Sequence, residues 1–350
     1  VRSDERTTGE WICEAYESTV DGRTREELAV HVEVRRDAGA LGGLKEKLEA
    51  RLKNDLGLSV EVRLVEQGKT TSLRGLYYML KHTIEGTREE TFATQEECDP
   101  IIEDLEVALD ALREELHLFA SRKGTMVGPL TLRDSGDTID LRRMGSGGWG
   151  VPSIVEENVI QFGKNEAKYV LLIEKDAVWS RFNEDKFWRK HNCLLTHGGG
   201  QPPRGVRRML YRLHNELKLP VYCLLDNDPW GYYIYSVVKQ GSINLAFESQ
   251  RMAIPKAKFI GLSSADPERY GLPRNVGIKL NEKDIARAKE LMNYEWFKKP
   301  AWQAEIKRML TSGLKYELDA LANKDFRYLT QTYLPRKLKE RDWLDRKSTR

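Results

Sequence analysis

The chain of 350 residues has only four cysteines, Cys13, Cys98, Cys193 and Cys223, and none of them forms a C-x-x-C pair. A disulfide scaffold and a cysteine-rich zinc site are thereby excluded as organising devices. Long apolar runs are missing as well. Tyr169–Ile173 and Leu219–Leu225 fall far short of the ~18 residues a membrane helix needs, so no membrane partner is expected. The first residues, Val1-Arg2-Ser3-Asp4-Glu5-Arg6, are too charged for a signal peptide, and a cytoplasmic location is expected. No Walker-type sequence ending in Lys-Ser/Thr occurs, so the chain offers no ATP site of its own. An excess of one charge is also absent. The 57 basic and 54 acidic residues nearly balance at +3, too little to announce a nucleic-acid binder. Hydrophobic residues at 40% nevertheless supply buried cores, and the length suits two to three domains.

Three segments can be read along the chain. Residues 1–68 carry 11 basic and 15 acidic side chains, a balance of −4 that does not suit a DNA-gripping arm. Leu28–Arg35 and Leu58–Val65 alternate with period two, as strands do, and Leu44, Leu48 and Leu52 mark an amphipathic helix between them. This small β-α-β module resembles the C-terminal subdomain of phenylacetate–CoA ligase-type enzymes, and no ligase activity is expected of it. Residues 69–145 read as helices over Leu73–Ile84 and Pro100–Ala120, then a hairpin of Val127–Arg133 and Asp137–Leu141. Helices followed by a small hairpin suggest a winged helix. Gly145-Ser-Gly-Gly-Trp-Gly150 reads as a linker. From Val151 onward (151–350), strand and helix alternate: strands at Tyr169–Ile173, Cys193–Thr196 and Val221–Leu225, with helices to about Lys190, over Arg204–Leu217 and over Gly231–Lys239. That alternation predicts a parallel sheet with right-handed crossovers. The tail from Leu334 carries 7 basic and 3 acidic residues.

Two of the buried strands end in acids. Tyr169–Ile173 runs into Glu174, and Val221–Leu225 into Asp226-Asn227-Asp228. Ligands of open parallel sheets bind beyond the carboxyl ends of the strands. If these strands are neighbours, three carboxylates converge, and such crowding favours a hard divalent cation such as Mg²⁺. An acid at a strand end also serves as a helix N-cap, and Asp228 precedes Pro229, so that reading stands beside the first. Between the two strands, Gly198-Gly-Gly200 leads into a helix bearing Arg204, Arg207 and Arg208, candidates for contact with phosphate.

On the earlier helix the apolar stripe is Leu73, Leu76, Tyr77, Leu80 and Ile84. Tyr78 is turned about 100° away from it, onto a face shared with Arg74 and His82. A guanidinium beside a phenol suits attack on a phosphodiester held by the arginine. Paired tyrosines that are merely core and surface fit the same pattern.

Taken together, Leu73-Arg-Gly-Leu-Tyr-Tyr78, Val170-Leu-Leu-Ile-Glu-Lys-Asp-Ala177, Gly200-Gln-Pro-Pro-Arg204, Leu225-Asp-Asn-Asp-Pro-Trp-Gly231 and Asn293-Tyr-Glu-Trp-Phe297 resemble the A subunit of DNA topoisomerase VI and its meiotic double-strand-break relatives. The likeness spans roughly residues 70–342. It implies an α/β chain with α+β parts, in which a CAP-like winged-helix domain is followed by a toprim domain. It further implies Tyr78 as the nucleophile of a 5′-phosphotyrosyl bond, Arg74 assisting, and Glu174, Asp226 and Asp228 holding Mg²⁺. The implied partners are double-stranded DNA, a second copy of the A chain and an ATPase B subunit in an A2B2 heterotetramer, with ATP used only through B and the complex at the nucleoid. Before about residue 69 the chain departs from the family pattern, where relatives carry an extension that helps build the dimer. The alternatives are a toprim nuclease or primase and a chimeric A-like DNA-binding protein that no longer cleaves.

Overall fold

The computed structural model describes residues 12–20, 23–31, 67–83, 88, 90–120, 122–242 and 246–344. The chain divides into two compact units, Val1–Ser121 and Arg122–Arg350.

In the first unit, β1 (Ile12–Val20) and β2 (Arg23–His31) form an antiparallel pair registered from Ile12 opposite His31 to Val20 opposite Arg23. The expected strand at Leu28–Arg35 overlaps the end of β2. The expected helix at Leu44–Leu52 and the strand at Leu58–Val65 lie outside the described residues. Further on, β3 (Thr71–Ser72) leads directly into α1 (Leu73–Leu80), whose N-cap Ser72 accepts the Gly75 N–H at 3.0 Å. The helix ends four residues sooner than its apolar stripe suggests. Thr91 Oγ1 donates to the Leu80 carbonyl at 2.8 Å, and Thr83 pairs with Glu90, so the chain turns into a bridge instead of another helical turn. Next, α2 covers Gln95–Ala108 and not Pro100–Ala120. Buried Glu106 stops it: its carboxylate accepts the Arg113 backbone N–H at 2.7 Å and lies 2.6 Å from the Arg113 guanidinium, folding the chain back. The returning β4 (Leu118–Phe119) then pairs in parallel with β3. Leu76, Tyr77, Phe92, Cys98, Ile102 and Leu118 form the small core beneath.

The second unit is built on a six-stranded sheet. Its strands are β5 (Thr125–Val127), β8 (Trp149–Gly150), β10 (Tyr169–Ile173), β11 (Cys193–His197), β12 (Val221–Leu224) and β13 (Lys258–Phe259), in the order β13-β12-β10-β11-β5-β8. The four strands β13, β12, β10 and β11 run parallel, β5 pairs antiparallel with β11, and β8 pairs antiparallel with β5. The segment 127–133 is therefore not one strand. It breaks at Gly128, whose φ of 144° and approach to the Cys193 carbonyl leave no room for a side chain. Beyond the break, β6 (Leu130–Asp134) pairs with β7 (Asp137–Asp140) as the expected hairpin, and β9 (Ile160–Asn165) completes a separate three-stranded antiparallel sheet. The hairpin falls within the larger unit, Arg122–Arg350. The expected linker at 145–150 is partly strand, because Trp149 pairs with Met126 at the sheet edge.

Helices cover both faces. On one side lie α3 (Asp176–Glu184) and α4 (Phe187–His191), divided at Lys186, which has a φ of 51°. On the other lie α5 (Arg204–Asn215) and α6 (Pro229–Gln240). Strand β10 shows why its apolar run does not alternate: Val170 and Leu172 join the core under α5 and α6, while Leu171 and Ile173 join the core under α3 and α4. All four are at most 1% exposed, each stabilising the fold by about 1.5–3 kcal/mol relative to exposure. Among the described residues no helix is long and apolar enough to cross a membrane.

Candidate active site

Strand order decides where a site can form. From β10 the chain crosses to β11 on one side, then returns to place β12 on the other. The connections after β10 and β12 diverge, opening a crevice at their carboxyl ends. Ile173 is in register with both His197 and Leu224, so Glu174 and the Leu225-Asp226 step emerge at one level.

Each acid is held by named groups. Glu174 is 8% exposed, and its Oε2 accepts the Asp226 N–H at 3.0 Å. Asp226, 2% exposed, accepts the Leu318 N–H on Oδ1 at 2.7 Å, while its Oδ2 lies 3.0 Å from Lys175 Nζ. Asn227 is turned inward: its Nδ2 donates to Tyr232 Oη at 2.6 Å and to Glu305 Oε1 at 3.2 Å. Asp228 caps α6, its Oδ1 accepting the Gly231 N–H at 2.6 Å. The N-cap reading of Asp228 is thus correct, and it does not displace the other reading. A Cβ placed on Gly231 would stand 3.2 Å from Asp228 Oδ1 and 3.3 Å from Glu174 Oε2, so both oxygens border one small space that only glycine leaves open.

Electrostatics agree with crowding. Burial, then the charge of Asp226, pushes the Glu174 carboxyl up to about 8. Burial pushes Asp226 up to about 6 against the pull of the Leu318 N–H and Lys175, and burial also raises Asp228. Burial opposes the charge on Lys175, yet its hydrogen bond to Glu317 and the charge of Asp226 prevail and raise it above the usual lysine range. The donor set is all carboxylate and fits a hard divalent cation in chemistry. Among the described residues no group of three or more His, Cys, Asp or Glu side chains is already gathered closely enough to hold a metal ion, and part of each acid is engaged by a backbone N–H or by Lys175.

The tyrosine helix has the phase expected of it. Tyr77 is 8% exposed and its hydroxyl donates to the Ala93 carbonyl at 3.2 Å, whereas Tyr78 is 61% exposed. The Arg74 guanidinium stands 6.0 Å from the centroid of the Tyr78 ring. His82 does not join them. The helix has ended, and His82 Nδ1 sits 2.8 Å from the Leu80 carbonyl.

The arginines expected at phosphate are placed differently. Arg204 and Arg207 lie 2.5 and 2.6 Å from the two oxygens of fully buried Glu248. Arg208 lies 2.6 Å from Glu156 and donates to the Arg251 carbonyl at 2.9 Å. Facing acids of the fold itself, these guanidiniums fasten α5 to its surroundings. The glycine turn keeps a place at the crevice, with the Gly200 N–H donating to the Glu174 carbonyl at 2.9 Å. The sequence reading missed Lys175, although it follows Glu174 directly. It also missed Glu317 and Asp319, whose Glu-Leu-Asp spacing is the only local signal that could have found them.

Acids gathered at the switch point of a parallel-rich sheet are an arrangement that a toprim domain would present. The family model for the toprim domain of the topoisomerase 6 A subunit and Spo11 matches residues 169–338, and this is a Mg²⁺-binding type of domain. A type IIB DNA topoisomerase model matches residues 58–118, and that of the all-beta domain in the DNA topoisomerase VI alpha subunit matches residues 123–165. Among curated relatives, the A subunit of type 2 DNA topoisomerase 6 from Pyrococcus abyssi is 45% identical over 287 residues, covering 79% of this chain and 75% of its own length. That of Hyperthermus butylicus is 42% identical, covering 80% and 76%. The A subunit of DNA topoisomerase 6 from Arabidopsis thaliana is 34% identical, covering 76% and 62%. The chain belongs to the family of topoisomerase 6 A subunits and is a type IIB DNA topoisomerase component, an isomerase.

Proposed function

We propose that this chain cleaves both strands of duplex DNA by transesterification to Tyr78. The Tyr78 oxygen attacks a backbone phosphorus, and an O–P bond forms as the bond to the 3′ oxygen breaks. The phenolic proton leaves to water and the departing 3′ oxygen takes one up, so a 5′-phosphotyrosyl link and a 3′-hydroxyl result. The reverse reaction reseals the strand without an outside energy source. Arg74 steadies the phosphate beside the ring. Glu174, Asp226 and Asp228 would hold Mg²⁺, and the ion would supply Lewis-acid stabilisation of developing negative charge. Residues 69–145 take the DNA-binding, CAP-like winged-helix role. The working assembly is a homodimer of this chain with an ATPase B subunit, A2B2, acting on the nucleoid, and ATP enters only through B.

The observation that carries this reading is the convergence of Glu174 and Asp228 on the space left by Gly231, beside Asp226, at the sheet's switch point. The test is denaturing-gel detection of a covalent protein–DNA adduct, with and without B subunit. An adduct that needs Mg²⁺ and Tyr78 is expected. Full-rate cleavage in EDTA would remove the metal from the mechanism.

A further inference from the structure

Lys175 enters the acidic crevice from the position next to Glu174. Its Nζ lies 3.0 Å from Asp226 Oδ2, 2.7 Å from Glu317 Oε2 and 3.3 Å from Asp319 Oδ2. One ammonium therefore bridges two kinds of acid. The Asp226 side chain is 2% exposed, whereas Glu317 and Asp319 are 42% and 55% exposed. The outer pair is held at a fixed offset from the inner acid. The intervening Leu318 N–H is bonded to Asp226 Oδ1, and Asn227 and Tyr316 exchange backbone hydrogen bonds at 2.8 and 3.0 Å.

An ammonium and a divalent cation cannot share Asp226 Oδ2 without strong repulsion at contact distance in a buried cleft. The lysine stem is flexible, and Nζ already touches both outer acids, so it need give up only one of three contacts. We infer that Lys175 is a tethered counter-cation of the metal-free site, displaced by an incoming metal ion from Asp226 onto Glu317 and Asp319. This rests on the reading of Glu174, Asp226 and Asp228 as Mg²⁺ ligands. Lys175 is then a positioning residue that sets metal affinity. It neutralises part of the acid cluster at rest, and Glu317 and Asp319 are its second seat.

The test is direct metal binding to the full chain, with Mn²⁺ as probe read by electron paramagnetic resonance and no DNA present. Wild type binds Mn²⁺ and Asp226→Asn does not. Lys175→Met removes the competitor and tightens binding about tenfold, within the usual range of coupling between two sites. Glu317→Gln/Asp319→Asn weakens binding several-fold while Lys175 is present and leaves it unchanged in the Lys175→Met background. If Lys175→Met fails to fold, Lys175→Gln replaces it and must also tighten binding. Unchanged or weaker binding in a folded Lys175 variant overturns the inference while leaving the metal reading intact. An equal effect of the outer pair with and without Lys175 also overturns it, because the two acids would then act on the metal directly. A wild type that binds no Mn²⁺ sinks the underlying metal reading itself.

Discussion

Glu174→Gln should make the metal-free protein more stable, which is unusual for a change inside an active site. The side chain is 8% exposed, and burial with the neighbouring Asp226 charge holds its carboxyl near 8 in the folded state, against 4.5 for the ordinary group. Between those values the folded chain binds more protons than the unfolded one, so wild-type stability without metal falls as pH rises through that window. The whole shift would amount to about 5 kcal/mol above pH 8. Glu174 and Asp226 titrate as a pair, however, and only part of their repulsion is removed with one charge. Glutamine retains an oxygen to accept the Asp226 N–H, so no hydrogen bond need be lost. A gain of about 2 kcal/mol at pH 8 is expected, or roughly 4–8 °C in Tm for a unit of this size.

Thermal unfolding in EDTA at several pH values measures it. The advantage should vanish as pH falls below 4.5, where the group becomes protonated in both states, and grow toward pH 8. Saturating Mg²⁺ should reverse the order, since a ligand at about a hundred times its Kd stabilises the wild type by about 2.7 kcal/mol and the variant loses much of that. A variant that is less stable than wild type in EDTA at pH 8 would refute the account of crowded, desolvated carboxylates.

Three further outcomes are expected. Tyr78→Phe should abolish the covalent adduct with no change in Tm, whereas Tyr77→Phe should cleave and cost about 1 kcal/mol from the lost hydrogen bond to Ala93; the opposite pattern in the gel assay would reverse the helix faces. Gly231→Ala normally helps a helix by about 1 kcal/mol, but here its Cβ would stand 2.7 Å from the Asp226 carbonyl, so lower Tm and weakened Mn²⁺ binding are expected. Arg207→Gln should lower Tm by leaving buried Glu248 to Arg204 alone; a normal Tm with a shallower salt dependence of DNA binding would favour the DNA-contact role.

Legibility in the sequence followed the range of the forces involved. Strand β10 was readable to the residue because burial on both faces needs an uninterrupted apolar run, and nothing local competes with it. The phase of Tyr77 and Tyr78 was readable because Leu73, Leu76 and Leu80 fix the buried stripe within two turns. The ends of α1 and α2 were not, since each is set by a partner outside the helix: Thr91 takes the Leu80 carbonyl, and Arg113 takes Glu106. The ion partner of Arg204 and Arg207 was hidden for a similar reason. Three basic residues after a glycine turn look like a phosphate site until Glu248, some forty positions on, occupies two of them.

The acid cluster shows why the two sequence readings of Asp228 were never rivals. An N-cap needs a carboxylate oxygen aimed at the first free N–H groups of a helix, and Asp228 meets that with Gly231. Capping engages Oδ1 and fixes the rotamer of the side chain, which holds the carboxylate beside Glu174 before any ion arrives. Asp226 is fixed in the same manner by the Leu318 N–H, and Glu174 by the Asp226 N–H. Each acid thus has one oxygen tied to backbone. Three acids that repel one another when ionised are kept together by hydrogen bonds to the N–H groups of Asp226 just past β12, of Leu318 at the start of a 3-10 turn and of Gly231 in the first turn of α6. Orientation is settled when the chain folds, so binding a cation need not pay the entropy of gathering its ligands.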